Sequence, residues 1–225
     1  MLKFYYNPLS PNARRVWLTL LEKGLIFEPI VLNLDGDQLQ PEFLEINPFH
    51  HIPVLVDDEF RLVESLAILD YLETKYPTPK LLPTEAKDLA IVRMVQLVIA
   101  NELFPQMISL IYEHEDSPAF EKAKQQVDKV LQFLTEQLGD RPYFGSQQLT
   151  LADIVAGTAI PLLPMLRIPL KKYPSLQNWC KRLMERDAWH KTQLSSEDFE
   201  AFKRRVKVLV KLRRRALVRE TSAKQ

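Results

Sequence analysis

The apolar pattern of this chain changes character once, near Tyr76, and that change limits the fold to two unlike parts. Before it, strand-like and helix-like runs alternate. Leu2, Phe4 and Tyr6 alternate with Lys3 and Tyr5, as on a strand with one buried face. Asn7-Pro8-Leu9 is a turn, and Ser10-Pro11 supplies an N-cap followed by proline at the first helical position. Val16, Trp17, Leu20 and Leu21 line one face of the helix that follows, and Gly24 ends it. A second strand is expected from Phe27 to Leu32, then a short helical stretch from Pro41 to Ile46. Pro53 to Val56 and Phe60 to Val63, joined by Asp57-Asp58-Glu59, read as an antiparallel hairpin, since proline is tolerated at a strand's first position. Ser65 to Tyr76 reads as a helix with Ile68, Leu69 and Leu72 facing the core.

Beyond Tyr76 the pattern is helical throughout. Pro77, Pro79 and Pro83 make a stiff connection, and long helices are expected over Leu89–Tyr112, kinked at Pro105, and Ala119–Leu138. Thr150-Leu151-Ala152-Asp153 has capping-box spacing ahead of a buried helix, and Leu176–Glu185 gives another. A chain of 225 residues is long enough for two cores. The expected division is 1–76, a linker at 77–88, a helical domain at 89–195, and a basic C-terminal helix or tail at 196–225.

The formal net charge of +1 gives no bulk attraction to nucleic acid, so a polyanion partner would have to use a local patch. Cys180 is the only cysteine, which excludes an intrachain disulfide and a redox pair and suits a reducing compartment. Met1 leads directly into the strand pattern without a basic-then-apolar leader, and no uninterrupted apolar run approaches bilayer-spanning length; a cytoplasmic location is expected.

Four segments, in this order and spacing, carry a resemblance: Tyr5-Tyr6-Asn7-Pro8-Leu9-Ser10; Asn47 through Leu55, containing His50-His51-Ile52-Pro53; Glu64-Ser65-Leu66-Ala67-Ile68 with Tyr71-Leu72; and Leu149-Thr150-Leu151-Ala152-Asp153. The chain resembles a serine-type cytosolic glutathione transferase, similar to the theta, delta and phi classes and to the bacterial chi class. The resemblance implies an α/β thioredoxin-like N-terminal domain followed by an all-α C-terminal domain, with a cis peptide between Ile52 and Pro53. It further implies a homodimer that takes glutathione as co-substrate without a metal. Isothiocyanates, activated halides and organic peroxides are the electrophiles it implies.

Each residue it points to also has a structural explanation. Ser10 before Pro11 is a strong helix cap; in the family this hydroxyl donates a hydrogen bond to the glutathione sulfur above the positive end of the helix. Tyr5 and Tyr6 are its rivals for that role, although alternate strand residues commonly just pack. Glu64 and Ser65 read as a capping arrangement or, by resemblance, as the binding site for the γ-glutamyl end of glutathione. His50 and His51 read as surface histidines or as contacts to the glycyl end. The backbone at Ile52-Pro53 would pair with the cysteinyl unit like an added strand, and Gln38 and Asn12 are weaker contacts. For the electrophile, Leu9, Phe104, Ile108 and Tyr112 are candidates, the last three at helical spacing that would equally serve packing. Thr150 and Asp153 read as caps, and Cys180 as a buried helix residue.

The tail is basic from Lys203 to Lys224, opposed only by Glu220, with Phe202, Val206, Leu209 and Val210 at helical spacing. It reads as a solvated amphipathic helix, partly able to dock; an anionic partner such as nucleic acid or a membrane surface is the weaker reading. The rival from another class is a non-catalytic binding or assembly module of the same fold that uses this tail.

Overall fold

The computed structural model describes residues 1–33 and 36–222, with side chains described to residue 212. Four strands form one sheet in the order β2-β1-β3-β4. They are β1 (Leu2–Tyr6), β2 (Phe27–Val31), β3 (Val54–Asp57) and β4 (Phe60–Leu62). The helix α1 (Pro11–Glu22) carries the chain from β1 to β2, and that crossover makes the pair parallel, with Phe4 opposite Pro29. Pro29 is tolerated because β2 is an edge strand. After α2 (Pro41–Ile46), β3 returns antiparallel to β1 and forms the expected hairpin with β4. The peptide between Ile52 and Pro53 is cis, as is that between Thr78 and Pro79.

Leu2, Phe4 and Tyr6 are buried as their alternation requires. On α1 the core face is wider than the sequence suggests. Ala13, Val16, Leu18 and Leu20 are fully buried, whereas Trp17 and Leu21 are half-buried. The cause is that α1 is covered on opposite sides, by α3 (Ser65–Lys75) and by helices of the second domain. One apolar stripe would suffice for a surface helix; a sandwiched helix must hide residues of every type, Arg14 and Arg15 among them.

The connection after α3 is pinned to the first domain. Lys23 lies 2.6 Å from Glu73 and donates to the carbonyls of Tyr76 and Pro79 at 2.8 Å, while Glu73 accepts from the Leu81 amide at 3.0 Å. The helical run then begins at Ala86, earlier than expected, as α4 (Ala86–Val98). It passes through a π-helical turn at Ile99–Leu103 into α5 (Phe104–Tyr112). The kink expected at Pro105 is thus realised upstream: proline has no N–H to give the carbonyl four residues back, and the Phe104 amide reaches Ile99 instead. By length and composition the helical run Ala86–Tyr112 is apolar enough to cross a membrane, although charged residues interrupt it. Here Val92, Val95, Ile99, Leu103 and Met107 of that run are buried in the protein's own core.

The remaining helices are α6 (Pro118–Leu138), α7 (Leu151–Gly157), α8 (Pro174–Met184), α9 (Asp187–Thr192) and α10 (Ser196–Ser222). The Asp153 carboxylate, wholly buried at the start of α7, accepts from the amides of Phe144 and Thr150 and from the Trp179 indole, with the Thr150 hydroxyl 2.8 Å away. It ties the start of α7 to α8. Cys180 is buried in α8, and desolvation pushes its thiol up to about 12, which makes it a packing residue. The tail expected to be largely solvated does dock: Phe199 and Val206 are buried and α10 packs on α5. The side chains of 213–222 and the residues 223–225, which carry much of the tail's basic character, lie outside the described residues.

Candidate functional site

Two adjoining cavities open along the line where α1 and α3 face α4, α5 and α10. The first, of about 400 Å³, is lined mainly by polar groups of the first domain. Asn12, Gln38, His50, His51, Ile52, Pro53, Glu64 and Ser65 all lie on its wall, with Asn47, Arg205 and Leu209. The second, of about 510 Å³, has Phe104, Ile108 and Leu97 on one side and Phe202, Val206 and Val210 on the other. Asn12, Glu64, Ser65 and Leu209 line both, so the polar and apolar spaces are continuous.

Local chain geometry places the polar groups. Asn47, buried and preceding Pro48, folds the loop around itself: its Nδ2 donates to the His51 carbonyl at 2.7 Å and its Oδ1 accepts from the Phe49 amide at 3.0 Å. This Asx-type turn forces His50 to φ 57°, a left-handed conformation uncommon for a residue with a Cβ, and sets both histidines at the cavity. Sequence reasoning missed Asn47, although an Asn-Pro pair in a polar loop is a turn signal.

Glu64 also has positive φ, 66°, at the N-terminus of α3, and its side chain does not cap the helix. The capping reading of Glu64 is therefore corrected. Its side chain instead lies on the walls of both cavities. Ser65, only 7% exposed, receives a hydrogen bond on its Oγ from Arg15 Nη1 at 3.4 Å.

Ser10 caps α1 as its sequence context demands, its Oγ accepting from the Ala13 amide at 3.3 Å. A hydroxyl that accepts one bond keeps its own proton to donate. Ser10 is outside the lining of both cavities, while the next two residues, Pro11 and Asn12, are on their walls. Of its rivals, Tyr6 is buried, stacked on Phe4 at 4.6 Å and tilted against Trp17, with burial raising its hydroxyl's pKa. Tyr5 packs against Phe43 at 6.2 Å. Leu9 and Tyr112, both half-buried, do not line either cavity. In their place the apolar wall draws on α10 and on Ala100 and Asn101 of the π-helical turn, a distortion of the kind that recurs at functional sites.

Residues 4–80 match the family pattern "Glutathione S-transferase, N-terminal domain", and residues 96–187 match "Glutathione S-transferase, C-terminal domain". The chain is 33% identical over 207 residues to glutathione S-transferase 3 of Zea mays, spanning 85% of this chain and 92% of that protein. It is 30% identical over 185 residues to glutathione S-transferase D7 of Drosophila melanogaster, spanning 80% and 83%. Among solved structures, a delta-class glutathione transferase of Nilaparvata lugens superposes with a TM-score of 0.80 at 26% identity, over 92% of this chain and 99% of that one. A Drosophila mojavensis glutathione transferase homologue with bound glutathione gives 0.77 at 26%, over 92% and 96%.

Proposed function

The chain belongs to the glutathione transferase family, and from that premise we propose that it binds glutathione in the polar cavity and transfers its thiolate to an apolar electrophile in the adjoining one. The observation that carries this reading is the continuity of the two cavities through Asn12, Glu64, Ser65 and Leu209. A tripeptide in the first can present its sulfur to a molecule in the second.

The γ-glutamyl ammonium pairs with Glu64, and its carboxylate takes the Ser65 hydroxyl and the free amides at the start of α3. The Ile52 backbone pairs with the cysteinyl unit as a strand edge does, and His50, His51 and Gln38 serve the glycyl end. The sulfur then lies by Ser10 at the N-terminus of α1.

The energetics are sufficient. A free thiol with a pKa of about 8.5 is only about 3% ionised at neutral pH, and lowering that value by about two units takes roughly 2.7 kcal/mol. A hydrogen bond to a charged partner contributes about 1.5–3 kcal/mol, and a helix end about 0.3–1 kcal/mol more. Ser10 and α1 together meet the requirement without a metal or a general base. With an activated halide the thiolate attacks carbon and halide departs with the bonding pair. With an isothiocyanate it adds to the central carbon, whose C=N pair moves to nitrogen and takes up a proton. With a peroxide it attacks oxygen, the O–O bond breaks and an alcohol leaves; the resulting glutathione sulfenic acid is reduced by a second glutathione to the disulfide and water. Isothiocyanates and activated halides are the substrate classes, with peroxides as oxidants of the thiolate; detoxification in the cytoplasm, by a homodimer, completes the reading.

The test is turnover against a panel of electrophiles with glutathione. Saturable, glutathione-dependent conversion of at least one apolar electrophile is expected, from a particle sedimenting at twice the 26.3 kDa chain mass. Failure to bind immobilised glutathione would remove the reading.

A further inference from the structure

Arg15 lies on α1 about one turn beyond Asn12, and its side chain is inside the protein, with 2% of the residue exposed. Its Nη1 donates to Ser65 Oγ, whereas Nε and Nη2 find no hydrogen-bond partner among the described residues. Its Cζ sits 5.1 Å from the centre of the Phe104 ring. Among the described residues no carboxylate pairs with it. Desolvation draws the guanidinium down to about 10, which leaves it protonated at neutral pH.

A buried cation with no counter-charge is costly, and proteins seldom keep one without a use for it. Arg15 stands on the cavity wall beside Glu64 and Ser65. That wall thus carries one carboxylate and one guanidinium cation. An amino acid end, with an ammonium and a carboxylate on the same carbon, matches both; a simple anion would be repelled by Glu64.

We propose that Arg15 is the positive charge that answers the α-carboxylate of the γ-glutamyl arm, acting through Ser65 as a positioning residue. Arg15 engages the Ser65 oxygen as an acceptor from below, which turns the Ser65 proton outward to the ligand. Its charge then neutralises the carboxylate across a single hydroxyl. Phe104 covers the guanidinium face and keeps water from it. The inference rests on the glutathione reading above and names the group that this part of the site selects.

The test compares glutathione with γ-aminobutyryl-cysteinylglycine, which keeps the amine and lacks only the α-carboxylate. Dissociation constants for both are measured on the unmodified protein, Arg15→Gln and Arg15→Lys, each checked for native melting. The unmodified protein should prefer glutathione by roughly tenfold or more, the scale of a hydrogen bond to a charged group. Arg15→Gln should bring that preference close to unity, and Arg15→Lys should retain part of it. If Arg15→Gln does not fold, Arg15→Lys makes the same comparison. An equal preference in the unmodified protein and the variants overturns the inference, because a purely structural arginine would weaken both ligands alike. An unmodified protein that binds neither ligand overturns the glutathione reading, and this inference with it.

Discussion

Asp153 and Arg15 are buried charges in opposite halves of the molecule, neither paired with an opposite charge among the described residues, and the chain treats them in contrary ways. The Asp153 carboxylate sits within a ring of donors from Phe144, Thr150 and Trp179. Arg15 has one hydroxyl and, among the described residues, leaves two of its nitrogens unanswered. A charge whose hydrogen bonds are complete is a clamp, and its removal is felt in stability. A charge left short has room for a ligand to complete it, and on the proposal above its removal is felt in binding.

The largest effect that could break this comparison is at the clamp. Asp153→Ala should strand the donors around it and destabilise the fold by roughly 3 kcal/mol or more at neutral pH. Denaturant unfolding measures the loss, and glutathione affinity of the folded fraction should be unchanged. The pH dependence follows from burial, which lifts this carboxyl from 3.8 to about 6. The folded value exceeds the unfolded one, so the group's contribution is full below the unfolded value and falls as pH rises through about 6. The gap between protein and variant should therefore be wider in acid than at pH 7. A loss below about 1 kcal/mol, or an altered glutathione affinity, would erase the distinction from Arg15.

The smaller effect sharpens the same contrast. The preference of roughly tenfold attributed to Arg15 should disappear without a comparable loss of stability. Smaller still is Leu209→Ala. Leu209 is half exposed, on a helix that walls both cavities. Its truncation removes about 1 kcal/mol of apolar contact, so the KM values for glutathione and for the electrophile should each rise about two- to fivefold. Steady-state kinetics that leave both constants unmoved would detach α10 from the site.

These residues also mark how far the sequence could be read. The strand of Leu2, Phe4 and Tyr6, the cap at Ser10-Pro11 and the core face of α3 follow from local chemistry, because each depends on neighbours within a few positions. The polar wall was legible through the resemblance, since its residues fall in the segments that carry it or close to them. Arg15 was not. On a helical pattern an arginine reads as solvent-facing, and it is Ser65 of α3 together with Phe104 of the second domain that enclose it. Asn47 was passed over because its work is done through the backbone of His51 and Phe49. Arg205 reaches the polar cavity from the far end of the chain, a proximity with no local signature. The widening of the helix at Ile99–Leu103 was anticipated only as a kink at Pro105, because the way a missing N–H is accommodated depends on the packing around it.

On the proposed reading, a sulfur anion is stabilised at the start of α1 by the Ser10 hydroxyl. Titrating the thiolate absorbance of bound glutathione, in the protein and in Ser10→Ala, tests it directly. The bound thiol should titrate about two units below its free value near 8.5, with most of that shift lost in Ser10→Ala. A bound thiol that ionises as it does in water, or an equal shift in both proteins, would contradict it.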